Sequence, residues 1–452
     1  MKTLTYLCYA FSFILLFSCK NYLDEKPDAN LKEANNLADL DALLNNTLVM
    51  NYYNMGLGEA SSDNYYVDDK TWESKGLNER QLYTWGDEIF YQQRLSNPWL
   101  ACYQTIYYSN HVLARLEKIT NDQAGSTHAQ ELKGMALFFR AFGHYRLLTL
   151  FSNAYDPQSA KTDLGIPLRL TDDFNVPSTR ATVEACYQQI LDDLVQAENL
   201  LPAKQINLHL PSKLAVYVLL SWIYQARGDF ERSVLYAEKA LNIDNILKDY
   251  KNYSPTARYP FSGFGEEIVF VAAGMSYGLL TAGLCKIDTL LYASYDLHDR
   301  RKQLYFIQNQ DSSYSFKGSY SGGSRTFTGL TIADVYLNLA EGLIRLNRID
   351  EGLKYLDTLL RHRYEEGHVP ATTSMSKETA LKLVLDERRK EFVMRASRWA
   401  DIKRLNKIDD TSIIPMRKIG DKVFSLEKND LRYALPLPAE IIELTGMPQN
   451  PR

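Results

Sequence analysis

Cysteine and histidine are sparse, five and seven in 452 residues. Cys8, Cys19, Cys102, Cys186 and Cys285 are scattered, which excludes a disulfide framework and zinc-ligand spacing. Cys102 in "WLACYQTI" and Cys186 in "VEACYQQI" sit in helical patterns, where buried apolar thiols are expected. The histidines contain no H-E-x-x-H and no clustered ligand set, so neither metal nor cofactor is expected. His144, inside an apolar helix, reads as an interior residue. Charge of one sign never accumulates: 51 basic and 55 acidic residues give a net −4 without a basic stripe, so no nucleic-acid partner is expected. No apolar run reaches the ~20 residues that span a bilayer as a helix.

The longest such run, Leu4 to Phe17, follows Lys2 and stops at "FSCKNYLDEKPD". A short positive region followed by about 14 apolar residues is the pattern of a removable secretory signal. Leu16-Phe17-Ser18-Cys19 resembles the lipobox of bacterial lipoproteins, with Phe17 where a smaller residue is usual. Cys19 is therefore expected to carry a lipid, and the polar residues after it form a tether from the membrane surface.

Aromatic residues are plentiful, with 31 tyrosines and 5 tryptophans. Much of the chain has helical periodicity. Pro98 to Ile119 carries Leu100, Tyr103, Ile106, Tyr107, Val112, Leu113 and Leu116. After "TNDQAGSTHA", a second helix presents Leu132, Met135, Phe138, Phe139, Phe142, Tyr145 and Leu148. A third starts at the cap Thr182 and stops before Pro202. "AVYVLLSWIYQARGDFERSVLYAEKALNI" resembles a tetratricopeptide repeat: Leu220, Ser221 and Tyr224, the turn Gly228-Asp229, then Ser233, Ala237 and Ala240. "DVYLNLAEGLIRLNRIDEGLKYLDTLL" is a weaker copy about 119 residues later, so a simple tandem solenoid is not expected. Between them, residues 245–328 are irregular and aromatic, with one strand-like run, "EEIVFVAAG", and a glycine loop, "SYSGGSRTF". The fold class is mainly α: tetratricopeptide-like hairpins form a scaffold, and an irregular, loop-rich lobe contains minor β structure.

Catalytic motifs are weak. Gly274-Met275-Ser276-Tyr277-Gly278 matches a hydrolase elbow, but "LLTAGL" makes a poor elbow helix and no spacing marks Asp296, His298 or His362 as partners. Acids are abundant, yet sequence does not pair two as a glycosidase requires. Glu387, Arg388, Arg389 and Glu391 read as a structural salt-bridge network, with Arg398 and Trp399 packed beside it. Binding is better supported. The stretch from Asn51 to Phe90 combines Asp63, Asn64, Tyr65, Tyr66, Trp72, Arg80 and Trp85, and the lobe offers Tyr292, Tyr295, Tyr314 and Tyr320. Rings with flanking polar groups suit the C–H faces and hydroxyl edges of a sugar, although half or more of them are expected to serve as core or partner contacts.

Four stretches in this order resemble the SusD/RagB family of outer-membrane nutrient-binding lipoproteins. They are Cys19 with "KNYLDEKPD"; "ELKGMALFFRAFGHYRLLTLF" followed by "LGIPL"; "LPSKLAVYVLLSWIYQARGDFERSVLYAEKAL"; and "LDERRKEFVMRASRWADIKR" with "YALPLPAEIIELTGMPQNP". The chain departs at Arg395 and Ala396, where the family commonly carries an acid and a glycine. The resemblance implies a signal peptide over 1–18, a SusD-like amino-terminal region over 19–245, and a carboxyl-terminal region over 246–452, comprising the irregular lobe (246–328) and a helical part (329–452). It also implies a surface-exposed lipoprotein of the outer membrane and no enzymatic activity. Such a protein captures an oligosaccharide and delivers it to a SusC-like TonB-dependent transporter. A RagB-like peptide binder and a lipid-anchored tetratricopeptide adaptor are the alternatives.

Cys19→Ala is expected to abolish acylation of the mature amino terminus and release the protein from membranes, as read by mass spectrometry of the amino-terminal peptide.

Overall fold

Helix boundaries follow local chemistry. Thr182 accepts a hydrogen bond from the Ala185 amide, Val183–Leu200 is helical, and Pro202 lies just beyond its end. Ser212 caps Lys213–Ala226 in the same way, and Asp229 caps Phe230–Ile243. Between these two helices Gly228 takes φ +73°, a left-handed turn that costs glycine little. The second hairpin turns through Asn347 at φ +65°, after a helix that Thr331 and Asp334 start as a capping box.

The computed structural model describes residues 36–52, 56–90, 98–119, 125–261, 263–274, 277–409 and 412–452; Cys19 lies outside them. Nine helices of eleven or more residues occur among the described residues. In chain order they are α1 Pro98–Leu116, α2 Thr127–Phe151, α3 Val183–Leu200, α4 Lys213–Ala226, α5 Phe230–Ile243, α6 Ile332–Arg345, α7 Ile349–Arg361, α8 Lys377–Glu391 and α9 Arg398–Ile408. Ten strands of two to four residues form five antiparallel pairs. The expected class, mainly α with minor β, is what the chain adopts.

The two tetratricopeptide-like hairpins, far apart in sequence, are neighbours in space. α5 packs along α6, and α1 to α7 continue as one file of antiparallel helices. A Cβ on Gly342 of α6 would come within 2.7 Å of Val234, so glycine permits this close crossing. Asn338 donates to Ser221 (3.0 Å) and Gln225 to Glu341 (2.7 Å) across the same seam. The intervening lobe loops out and returns, because β4 (Ile268–Phe270) pairs with β8 (Leu330–Thr331) immediately before α6. Phe270 is held by edge-to-face contacts with Phe138, Phe139 and Phe142 of α2.

A buried charge network ties the lobe to this scaffold. Glu391 at the end of α8 accepts from Arg301 (3.1 Å) and Arg363 (2.7 Å). Arg363 also reaches Glu267 (3.1 Å), while Arg301 reaches Asp299 (2.8 Å) and Glu387 (2.5 Å). Arg388 pairs with Asp401 of α9, and Arg389 and Arg398 both pair with Asp63; Trp399 is buried beside them. The "DERRKEF" motif is therefore a hub of ion pairs, with successive residues directed to different parts of the chain.

Arg395 pairs with Asp334 at 3.0 Å, and Ala396 adopts φ +58°. A Cβ in the left-handed region costs roughly 1–2 kcal/mol, so Ala396→Gly is expected to stabilise the protein by about 0.5–1 kcal/mol after the added unfolded-chain entropy. The urea midpoint would report it.

His144 is an interior residue. Its Nε2 accepts the Arg169 amide at 3.4 Å, and burial, aided by nearby Arg140, holds its pKa down to about 3. An unfolded chain takes up that proton near pH 6.5, so this contribution to stability is intact above that pH and is lost as pH falls towards 3. The slope is about 1.4 kcal/mol per pH unit within that window. His144→Gln should remove this component, seen as a flatter stability profile between about pH 6 and 4.5 in denaturant titrations.

Candidate ligand-binding site

A cavity of about 730 Å³ opens in the lobe. Its walls come from the 256–259 loop, the 277–285 segment, the hairpin β6 (Phe306–Gln308) to β7 (Tyr314–Phe316), and the glycine loop around Arg325. Met394, just after α8, closes one side. Tyr259, Tyr277 and Phe316 supply rings, and Thr256, Thr281 and Ser324 supply hydroxyls. The loop is braced from within: Ser319 and Ser321 both donate to the Arg325 carbonyl (2.6 and 2.8 Å), and the Gly274 amide donates to the Thr326 carbonyl (2.8 Å). The Tyr277 hydroxyl is buried in the wall without a partner among the described residues, and burial raises its pKa well above the usual value. Rings flanked by hydroxyls and cations can stack on one face of a ligand and hydrogen-bond its edges.

None of the nine side chains proposed from sequence as ligand contacts lines this cavity. Asn64, Tyr65, Trp85 and Tyr295 are interior, as is Tyr320. Each has internal partners. Tyr65 donates to the Ala60 carbonyl (2.7 Å), Trp85 to Ser61 (3.0 Å), Tyr295 to Lys390 (2.7 Å) and Tyr320 to Glu267 (2.9 Å). Asn64 donates to Glu59 at 2.9 Å. A phenol or indole that finds an acceptor can be buried at little cost, which corrects the assignment of these residues to a ligand surface. Asp63 is held in its ion pairs: burial alone would raise its carboxyl, but Arg398 keeps it well below the usual range. Tyr66, Trp72, Arg80 and Tyr292 are half-buried. Arg80 lies over Trp72, and Tyr292 stacks on Tyr314 with centroids 3.6 Å apart. The structure does join the two regions that the sequence singled out, because β1 (Tyr65–Tyr66) pairs with β5 (Lys286–Ile287).

Of the sequence match to a hydrolase elbow, Met275 and Ser276 lie outside the described residues. After them Gly278 begins a single 3-10 turn, Gly278–Leu280, and among the described residues the five strand pairs are antiparallel. The expectation that no metal-capable groups cluster needs correction. The bridge Asp299↔Tyr364 brings His298, Glu365 and His368 within 4.8 Å of one another. His298 already hydrogen-bonds Glu365 (2.9 Å) and stacks on His368, and Arg300 stands 3.7 Å from Glu365, a cation that opposes an ion there. Cys102 and Cys186 are free and buried, as expected, and Cys285 is free and buried as well.

Two profiles of one family match the chain. One, described as starch-binding and associating with the outer membrane, covers residues 21–225, and the SusD family profile covers 301–451. The chain belongs to the SusD/RagB family. SusD-like protein P2 of Formosa agariphila is 24% identical over 443 residues, covering 82% of each chain. A SusD superfamily protein from Bacteroides thetaiotaomicron superposes with a TM-score of 0.75 at 21% identity, covering 92% of this chain and all of its own. Surface glycan-binding protein A from Bacteroides uniformis gives 0.68 at 15% identity, covering 93% and 98%. At these identities the structural likeness speaks for the shared SusD fold. Among the described residues no helix is long and apolar enough to cross a membrane.

Proposed function

We propose that this SusD/RagB-family protein is a binding protein, not an enzyme, that captures a glycan at the cell surface. In this reading it is anchored in the outer membrane through lipid on Cys19 and delivers the glycan to a SusC-like TonB-dependent transporter. The observation that carries the reading is the lobe cavity, where Tyr259 and Phe316 stand beside threonine and serine hydroxyls. A stacked helical scaffold alone would serve an adaptor equally well, but an adaptor has no use for such a cavity. The names of the relatives support the same reading: one fold neighbour is a surface glycan-binding protein, and one family profile is described as starch-binding. Tyr66, the Trp72–Arg80 pair and the Tyr292–Tyr314 stack lie outside the cavity wall, and we assign them to secondary contacts with ligand or transporter.

The test has two parts. A gentle-detergent pull-down of the lipidated protein from its own outer membrane is expected to recover a TonB-dependent barrel in stoichiometric amount. Recovery of other envelope proteins without a barrel would instead favour the adaptor. Tyr259→Ala should weaken glycan binding by about fivefold, at unchanged melting temperature, because stacking on its ring contributes of order 1 kcal/mol.

A further inference from the structure

The charges around the cavity are one-sided. Arg258, Lys317 and Arg325 line it, and no carboxylate does, although the chain as a whole carries a net −4. Guanidiniums elsewhere behave differently: Arg301, Arg363, Arg388 and Arg404 each pair with buried acids, and Arg398 pairs with Asp63. Arg258 and Arg325 have no ion-pair partner among the described residues. Each instead lies over a ring, Arg258 over Tyr259 (5.4 Å) and Arg325 over Tyr52 (5.5 Å). A guanidinium held by its face keeps its N–H edges available, and those edges match the paired oxygens of a carboxylate or sulfate. Lys317 adds a positive charge whose position is set by the carbonyls of Pro255 and Ala257. Glu79, which packs behind the wall at Gly278, is engaged by the Leu279 amide at 3.2 Å.

We propose that the cavity selects anionic oligosaccharides, those bearing uronate carboxylates or sulfate esters, with Arg258 and Arg325 as the recognition groups and Lys317 supporting the positive field. This rests on the glycan-binding reading and narrows it. Unpaired cations beside a glycine-rich loop would be a poor choice for a neutral glucan, whose hydroxyls need donors and acceptors in equal measure. For an anionic chain they supply both affinity and discrimination, because a neutral competitor leaves the guanidiniums without charge compensation.

The experiment uses the full lipidated protein in detergent and titrates three size-matched oligosaccharides by calorimetry: a neutral glucan, an oligogalacturonate and a sulfated galactan. At least one anionic probe is expected to bind about tenfold or more tightly than the neutral one at low salt. That preference should shrink by about tenfold as sodium chloride rises from about 50 to 500 mM. Arg258→Gln with Arg325→Gln should abolish the preference, bringing the anionic and neutral probes to within about twofold of each other, while the melting temperature stays unchanged. The separate response to oligogalacturonate and sulfated galactan identifies which anionic group is read. Equal or tighter binding of the neutral glucan overturns the inference and leaves the glycan-binding reading intact. Absence of binding by all three, with the protein folded, overturns both.

Discussion

The carboxylate of Glu391 is the point on which the rest of the structure depends. It is buried between Arg301 of the lobe and Arg363 at the end of the helical file, and Arg363 in turn holds Glu267 at the start of β4. Each of these charges would be costly to bury alone, and the cluster is tolerable only because every member meets opposite charge at hydrogen-bonding distance. The cluster therefore specifies geometry more than it adds stability. It requires one relative placement of lobe and scaffold, because a shift would leave a charge unpaired in the interior. It also explains why "LDERRKEF" is so dense in charge: Glu387 and Glu391 share Arg301, Lys390 pairs with Glu387, Arg388 turns to Asp401 and Arg389 to Asp63.

With that junction set, the lobe can be irregular without being loose. A second apolar cluster, rich in Tyr65, Tyr83, Tyr250, Tyr295, Tyr305 and Tyr320, fills the space between the short strand pairs. Tyrosine suits this task, since its ring packs as core while its hydroxyl satisfies backbone or neighbouring hydroxyls. Tyr250, Tyr305 and Tyr320 meet at their hydroxyls in this way. Most of the aromatic richness is thus structural, and the cavity draws on only a few rings. The binding surface is a product of loops that this second core holds in place, with serine side chains and backbone amides bracing the loop that carries Arg325.

The helices were legible from residue pattern because their determinants are local: a capping threonine, a glycine turn, a proline beyond the end, apolar residues every three or four positions. The interior fate of His144, Cys102 and Cys186 was equally legible, since apolar neighbours on the same helix already surround them. The structural role of the charged α8 helix could also be read, because so many opposed charges at helical spacing seldom stand free. The site was not legible. Tyr65 and Tyr66 are adjacent in one strand, yet one is core and the other half-exposed, and only the pairing of β1 with β5 decides which.

Sequence by itself determined the class of the protein, the positions of its principal helices, the hairpin turns and the family to which it belongs. Tertiary structure alone decided that the two distant hairpins stack side by side, that Asn64, Trp85 and Tyr295 are interior, and that Arg258, Lys317 and Arg325 converge on one cavity. The physical reason is the range of the forces involved. Helix start and stop depend on hydrogen bonds within a few residues, whereas burial and charge pairing depend on segments tens to hundreds of residues apart arriving at the same place.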